Sequence, residues 1–472
     1  MPFIVSTSEE KPNDPETRKL IRSHVMLGKN RGKTRRYKHE ILSTHRSGIS
    51  IREKFELLSK SSCAPNYFDR AASWQSLIPF ADSIGSEMLQ DIVDFTSIAK
   101  KLLFPLKLCI NFETHDKAWF QPLFFDALYL HTLAFSTNAY FRLLGRSSHG
   151  PGREPELHFV KTLGLLRERL VLDDDRTISE VTIVVVLSLS IHALLANDLS
   201  SARTHLQGLH RLICLRGGLG SISRAKLLVE MFRCDINLAL ASNLKPLFFR
   251  DPFWEPLFPY PDQALVFSKS ISTSYLIPTI STTQEDVDDE LAGAWSLLKK
   301  FCLRVSFAAE TGNKLSVRIL LDTMASVMYR LLDMRFEVGS FNEANRLGML
   351  AFSSNVFLHP YSPRISSHQL PTAYRICASG LQVRDPLSAR FSLWFLMVGA
   401  LSGIMAADES LFASCLRANL KTSGNQSFSE LQHDLESFLW IGYLHDKIAK
   451  DIFATMFPSL EARNSWGDRA GD

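Results

Sequence analysis

Residues 29–38 read KNRGKTRRYK, in which Lys29, Arg31, Lys33, Arg35, Arg36 and Lys38 crowd six positive charges into ten positions with no acid among them. Side chains of this kind on an extendable backbone suit two partners: the acidic groove of a nuclear import receptor, and the phosphates of nucleic acid. Gly28 and Gly32 favour such extension. The surrounding stretch 18–38 carries nine basic residues and no acid. Removing those nine from the 53 basic residues of the chain leaves 44 against 49 acidic ones, a net of −5 elsewhere. The positive charge is therefore local, a basic arm on a near-neutral body. Three readings of the arm stay open: import signal alone, import signal plus sequence-blind DNA contact, or an inert solvated tail.

A second chemistry is suggested by Asp173, Asp174 and Asp175 followed by Asn197-Asp198-Leu199-Ser200-Ser201. Oxygen-rich clusters hold magnesium, and in an all-helical chain such a pair could grip a diphosphate, as in terpene cyclases. Two features oppose it. One helix separates the motifs, so they should sit about 30 Å apart by helix rise. The position that should close the second motif with a carboxylate is His205. Helix caps and loops are the ordinary explanation. No H-E-x-x-H, G-x-S-x-G, Walker loop or strand-to-helix G-x-G-x-x-G is present, so the chain is read as a non-enzyme that implies no cofactor. Gly217 to Gly220 follow a helical pattern and suit its termination. His205 and His210 flank an apolar helix face and are expected to pack or hydrogen-bond. The seven cysteines are scattered, the closest pair 20 apart, with no C-x-x-C. This pattern suits buried thiols in a reducing compartment and provides no zinc site of usual spacing.

The elements that must carry these residues are helical. Apolar residues recur at steps of three and four over 122–145, 156–172, 198–218, 223–242, 285–308, 315–337, 342–357, 386–406, 409–420 and 428–457. Thr177-Ile178-Ser179-Glu180 has the form of a capping box, with a hydroxyl for free amides and a carboxylate three residues on. The helix it opens is apolar all round and should lie centrally. On 198–218, Ala202, Leu206, Leu209 and Ile213 share a face, and Gly217-Gly218 supply the stop. The stretch 246–261 interleaves five prolines with six aromatics, so it is expected as a loop laid over the core. The apolar runs Val181–Ala196 and Phe391–Ala406 each span 16 residues, short of the roughly 20 that cross a bilayer, so no membrane partner is expected. The start of the chain lacks the basic-then-apolar pattern of a secretory signal. The fold class expected is all-α, with an arm over 1–60 and one helical domain over 61–472.

The lead IRSHVMLGKNRGKTRR, the helix bearing His205, Gly208 and Leu209, the turn Leu215-Arg216-Gly217-Gly218-Leu219, the Asp235-Ile236 helix and the PLF segment at 246–248 together resemble the fungal-specific transcription factor family. That resemblance covers most of residues 20–260. It implies a helical regulatory domain, a nuclear location, partners among import receptors, DNA and other transcription regulators, and by family habit the control of a metabolic gene cluster. Members often read DNA through a six-cysteine binuclear zinc cluster, and none of the seven cysteines here has that spacing. The chain would then act through its helical body, through the basic segment on DNA, or as a relative that has lost the zinc module. Rival classes also stay open: a helical scaffold outside transcription, and the magnesium-dependent enzyme above.

Overall fold

The computed structural model describes most of residues 80–112, then 121–143, 154–172, 176–249, 287–358, 369–405 and 410–457, apart from a few single positions. All lie within the unit Ser47–Asp472. The basic segment 29–38, Cys63, residues 146–153, Asp173 to Asp175 and residues 250–286, which include the proline–aromatic stretch beyond Phe249, lie outside the described residues.

Helices dominate what is described. In chain order they are α1 (Ala127–Leu143), α2 (Glu154–Leu172), α3 (Glu180–Leu195), α4 (Leu199–Leu215), α5 (Ala225–Ser242), α6 (Asp289–Thr311) and α7 (Val317–Asp333). There follow α8 (Phe341–Phe357), α9 (Gln369–Gly380), α10 (Pro386–Leu401), α11 (Ser410–Ser423), α12 (Phe428–Glu436) and α13 (Gly442–Met456). Two short strands, β1 (Ile110–Asn111) and β2 (Leu315–Ser316), pair in parallel. The all-α expectation stands.

Local chemistry explains where the helices begin and end. Asp198 caps α4 by accepting the Ser201 amide at 3.0 Å. Past its last turn Gly217 and Gly218 adopt φ of 97° and 95°, and the Gly218 amide reaches back to the Ile213 carbonyl at 2.8 Å. L-residues rarely adopt that backbone, so the double glycine ends the helix as anticipated. Pro386 opens α10, where its missing N–H costs nothing, and Asp385 with Ser388 forms a reciprocal capping box.

The expected box at α3 is different. Ser179, not Thr177, is the cap, and it accepts the Thr182 amide at 3.3 Å. Thr177 donates instead to the Arg169 carbonyl. Glu180 instead accepts from the Ser223 amide at 2.8 Å and from Arg224 Nε at 2.6 Å. Its carboxylate thus ties the start of α3 to the start of α5, because a cationic partner and an amide are better donors than its own helix could offer.

The 428–457 pattern is two helices rather than one. The break at 437–441 is held by Lys299 of α6, whose Nζ donates to the carbonyls of Glu436, Ser437 and Phe438. The 386–406 helix stops at Leu401, with Gly403 at φ 73° behind it. An unanticipated helix, α9, carries Pro371 within its first turn.

Packing is continuous. α3 lies against α4, α1 and α5; α10 lies against α8, α11 and α12; α7 bridges α5, α6 and α8. One hydrophobic core runs from Leu106 to Phe453. The apolar α3 buries Ile183, Val185, Val186, Leu187, Leu189 and Leu194, as its all-round apolarity demanded. At the α6–α10 contact Trp295 meets Trp394 edge-on with ring centroids 5.2 Å apart. Each large side chain so buried contributes about 1.5–3 kcal/mol. Among the described residues no helix is long and apolar enough to cross a membrane.

Candidate functional site

Of the described segments that carry the regulatory resemblance, the helices α4 and α5 and the PLF segment at 246–248 meet in space. Asp235 on α5 is 1% exposed. Its Oδ1 accepts the Leu247 amide at 2.8 Å, and its Oδ2 accepts the Phe248 amide and the Tyr329 hydroxyl of α7, each at 3.0 Å. The carboxylate therefore fastens the PLF segment to the body. Burial pushes this carboxyl up to about 6, since an ion loses its hydration there.

Phe248 rests against Phe232 and against His210 of α4, with centroids 6.0 Å and 5.5 Å apart. Phe249 stacks on Tyr329 at 5.5 Å. His210 is thus a packing residue, as anticipated. Ala202, Leu206, Leu209 and Ile213 are all buried. Gly208 has nothing within 4 Å of where a Cβ would stand, so close packing does not require it.

Of the magnesium motif, the described half is a cap and a turn. Asn197 takes the left-handed conformation at φ 59°, and Asp198 accepts from the Ser201 amide and the Ser200 hydroxyl. Both bonds go to Asp198 Oδ1, so that oxygen serves the cap of α4. Among the described residues no group of three or more His, Cys, Asp or Glu side chains is gathered so as to hold a metal ion. Cys109, Cys234, Cys302 and Cys377 are buried free thiols, whereas Cys214 is exposed. Burial pushes Cys234 and Cys302 up to about 12.

A polar cluster that no motif announced lies between α1, α2 and the segment 80–85. His131 of α1 is 1% exposed. Its Nδ1 meets Nδ1 of His158 on α2 at 2.8 Å, with the rings stacked 5.0 Å apart. Its Nε2 meets Asp82 Oδ2 at 3.2 Å, and Lys161 Nζ meets the same oxygen at 2.6 Å. The hydrogen bond from Lys161, then that from His131, holds Asp82 well below the ordinary carboxylate range. Burial pushes His131 down, a pull that Asp82 opposes. His158 and Asp82 stand 27 and 49 positions from His131, so spacing carries no hint of them. The one available signal is a histidine inside the apolar run LYLHTLAF.

Three further buried cations hold backbone carbonyls across the fold. Besides Lys299, Arg233 donates to Phe357 O at 2.6 Å and pairs with Glu230, and Arg346 pairs with Glu343 and donates to Leu331 O at 2.9 Å. These are structural clamps at helix ends.

The predicted site residues Lys29, Arg31, Lys33, Arg35, Arg36 and Lys38 fall outside the described residues. The chain matches no family model, no curated protein and no solved structure.

Proposed function

We propose that the chain is a nuclear regulator of transcription of the fungal type, acting through its helical body and carried into the nucleus by the basic segment 29–38. The observation that carries this reading is the charge distribution: nine basic residues and no acid over 18–38, on a remainder with net charge −5. A cluster so confined suits a receptor or a polyanion better than general solubility does. The helical body supports the reading by its organisation. Asp235 and the 246–248 segment, both picked from sequence for their likeness to regulatory domains, are hydrogen-bonded to each other, and Phe248 packs on His210 of α4, the helix that bears Gly208 and Leu209.

Phosphate contact by the six cations is electrostatic and carries no base information. The test is a salt titration of binding between the full chain and duplex DNA, run beside a variant with Lys29, Arg31, Lys33, Arg35, Arg36 and Lys38 all changed to alanine. About six phosphate contacts give a log–log salt slope near −5. The expected result is weak, sequence-blind binding that follows such a slope and vanishes in the variant. Binding that discriminates between sequences and survives in the variant would overturn the view that the helical body works through partners.

A further inference from the structure

The cluster of Asp82, His131 and His158 has its protons fixed by its own geometry. Asp82 is an acceptor, so the His131 nitrogen facing it, Nε2, carries a hydrogen. A neutral imidazole then has its other nitrogen, Nδ1, bare. The 2.8 Å contact between the two Nδ1 atoms requires one donor and one acceptor, so His158 Nδ1 must carry the hydrogen. The chain of bonds runs from His158 Nδ1–H to His131 Nδ1, and from His131 Nε2–H to the Asp82 carboxylate.

We infer that this chain is an acid-released latch, holding α2 on α1 and on the 80–85 segment while His131 is neutral and letting go when His131 gains a second ring proton. The two available protons act oppositely. His158, the less buried ring, accepts one at Nε2 and keeps its Nδ1–H, and its bond to His131 becomes charge-assisted and stronger. Once His158 is so charged, a further proton on His131 Nδ1 sets N–H against N–H, and the rings must part.

Among the described residues, the charged and titratable groups facing His131 are Asp82 from the 80–85 segment and His158 and Lys161 from α2. Asp82 favours the cation, while Lys161 and burial oppose it. The second proton is therefore admitted only by separation. Elsewhere along this helix pair, Phe135 on Phe159 and Asp126 with Arg169 at 2.8 Å do not depend on that proton. Loosening is thus local to the pair rather than a general unfolding.

The test uses the full chain. Histidine ring nitrogens are followed by NMR from pH 8 to pH 4.5, and hydrogen exchange of the α2 amides is measured over the same range, corrected for intrinsic rate, with α10 amides as reference. The expected outcome is His131 in the Nε2–H form and His158 in the Nδ1–H form at neutral pH. The α2 opening constant should rise about tenfold for each unit of pH lowered below the ordinary histidine range, the slope of one linked proton. His131→Gln, which keeps a donor for Asp82 and cannot titrate, should abolish that slope. An Nδ1–H tautomer at His131, α2 exchange without an acid slope, or a slope retained in His131→Gln would each overturn the latch. The tautomer reading requires no variant, so it decides the matter even if His131→Gln folds poorly.

Discussion

Replacing Gly348 by alanine sets two effects of opposite sign against each other. Gly348 lies inside α8, where alanine is favoured over glycine by about 1 kcal/mol. A Cβ there would stand 2.7 Å from Cζ3 and 2.8 Å from Cη2 of Trp394, and 3.2 Å from Cδ2 of Phe395. Trp394 is fully buried, and its Nε1 donates to Leu439 O at 2.9 Å. Its ring is also flanked by Trp295, Phe391 and Phe438, with centroids 5.2, 5.5 and 5.9 Å away. The indole cannot retreat without giving up that hydrogen bond or displacing three other rings. Overpacking of this kind costs about 1–3 kcal/mol or somewhat more. With three rings and a hydrogen bond in the way the overpacking cost lies at the upper end of that range, and the net expectation is a loss of about 1–2 kcal/mol once the helical gain is deducted. Gly208 in α4 is the matched control. It meets nothing within 4 Å, so Gly208→Ala should stabilise by up to about 1 kcal/mol. Urea denaturation followed by far-UV circular dichroism compares the two variants with the native chain. Gly348→Ala at or above native stability, or Gly208→Ala losing as much as Gly348→Ala, would refute the packing argument.

Two further outcomes follow from buried ionisable groups. Because burial raises Asp235 from 3.8 to about 6, the folded chain binds that proton more tightly than the unfolded one. The group's contribution to stability therefore falls as pH rises through this window. Asp235→Asn removes the fall, so its deficit relative to native should shrink by about 2 kcal/mol between pH 4.5 and pH 7 in urea titrations; a deficit that grows would show that the three donors outweigh burial. Lys299→Met leaves the carbonyls of Glu436, Ser437 and Phe438 without their shared donor. It should cost about 3 kcal/mol, judged from other broken buried polar contacts, and speed amide exchange first over 437–441.

The helices were legible because their apolar residues repeat with the helical period over long stretches, and because Gly217-Gly218 and Pro386 have few other roles open to them. Errors arose where a distant partner decided the local outcome. Glu180 looked like the second half of a capping box, but Ser223 and Arg224, more than forty positions away, take its carboxylate. The 428–457 pattern keeps its period straight through 437–441, and only Lys299, some 140 positions upstream, marks the break. The stretch 369–380 was not among the helical patterns, and Pro371 sits in the first turn of α9, where a proline leaves no amide wanting. Asp235 and the PLF segment at 246–248 were visible as separate fragments. That the Asp235 carboxylate binds the amides of Leu247 and Phe248 could not be read from spacing. His131, His158 and Asp82 were invisible for the same reason, since ordinary polar residues on separate elements form no local pattern.

The central claim is that the basic segment 29–38 delivers a regulatory helical body to the nucleus. Its most direct test compares the cellular distribution of the fluorescently tagged full chain with that of the six-alanine variant, both at native expression level. Nuclear accumulation of the native chain, lost in the variant while its helical content stays unchanged, is the predicted result. An even distribution of the native chain, or equal nuclear accumulation of both, would contradict it.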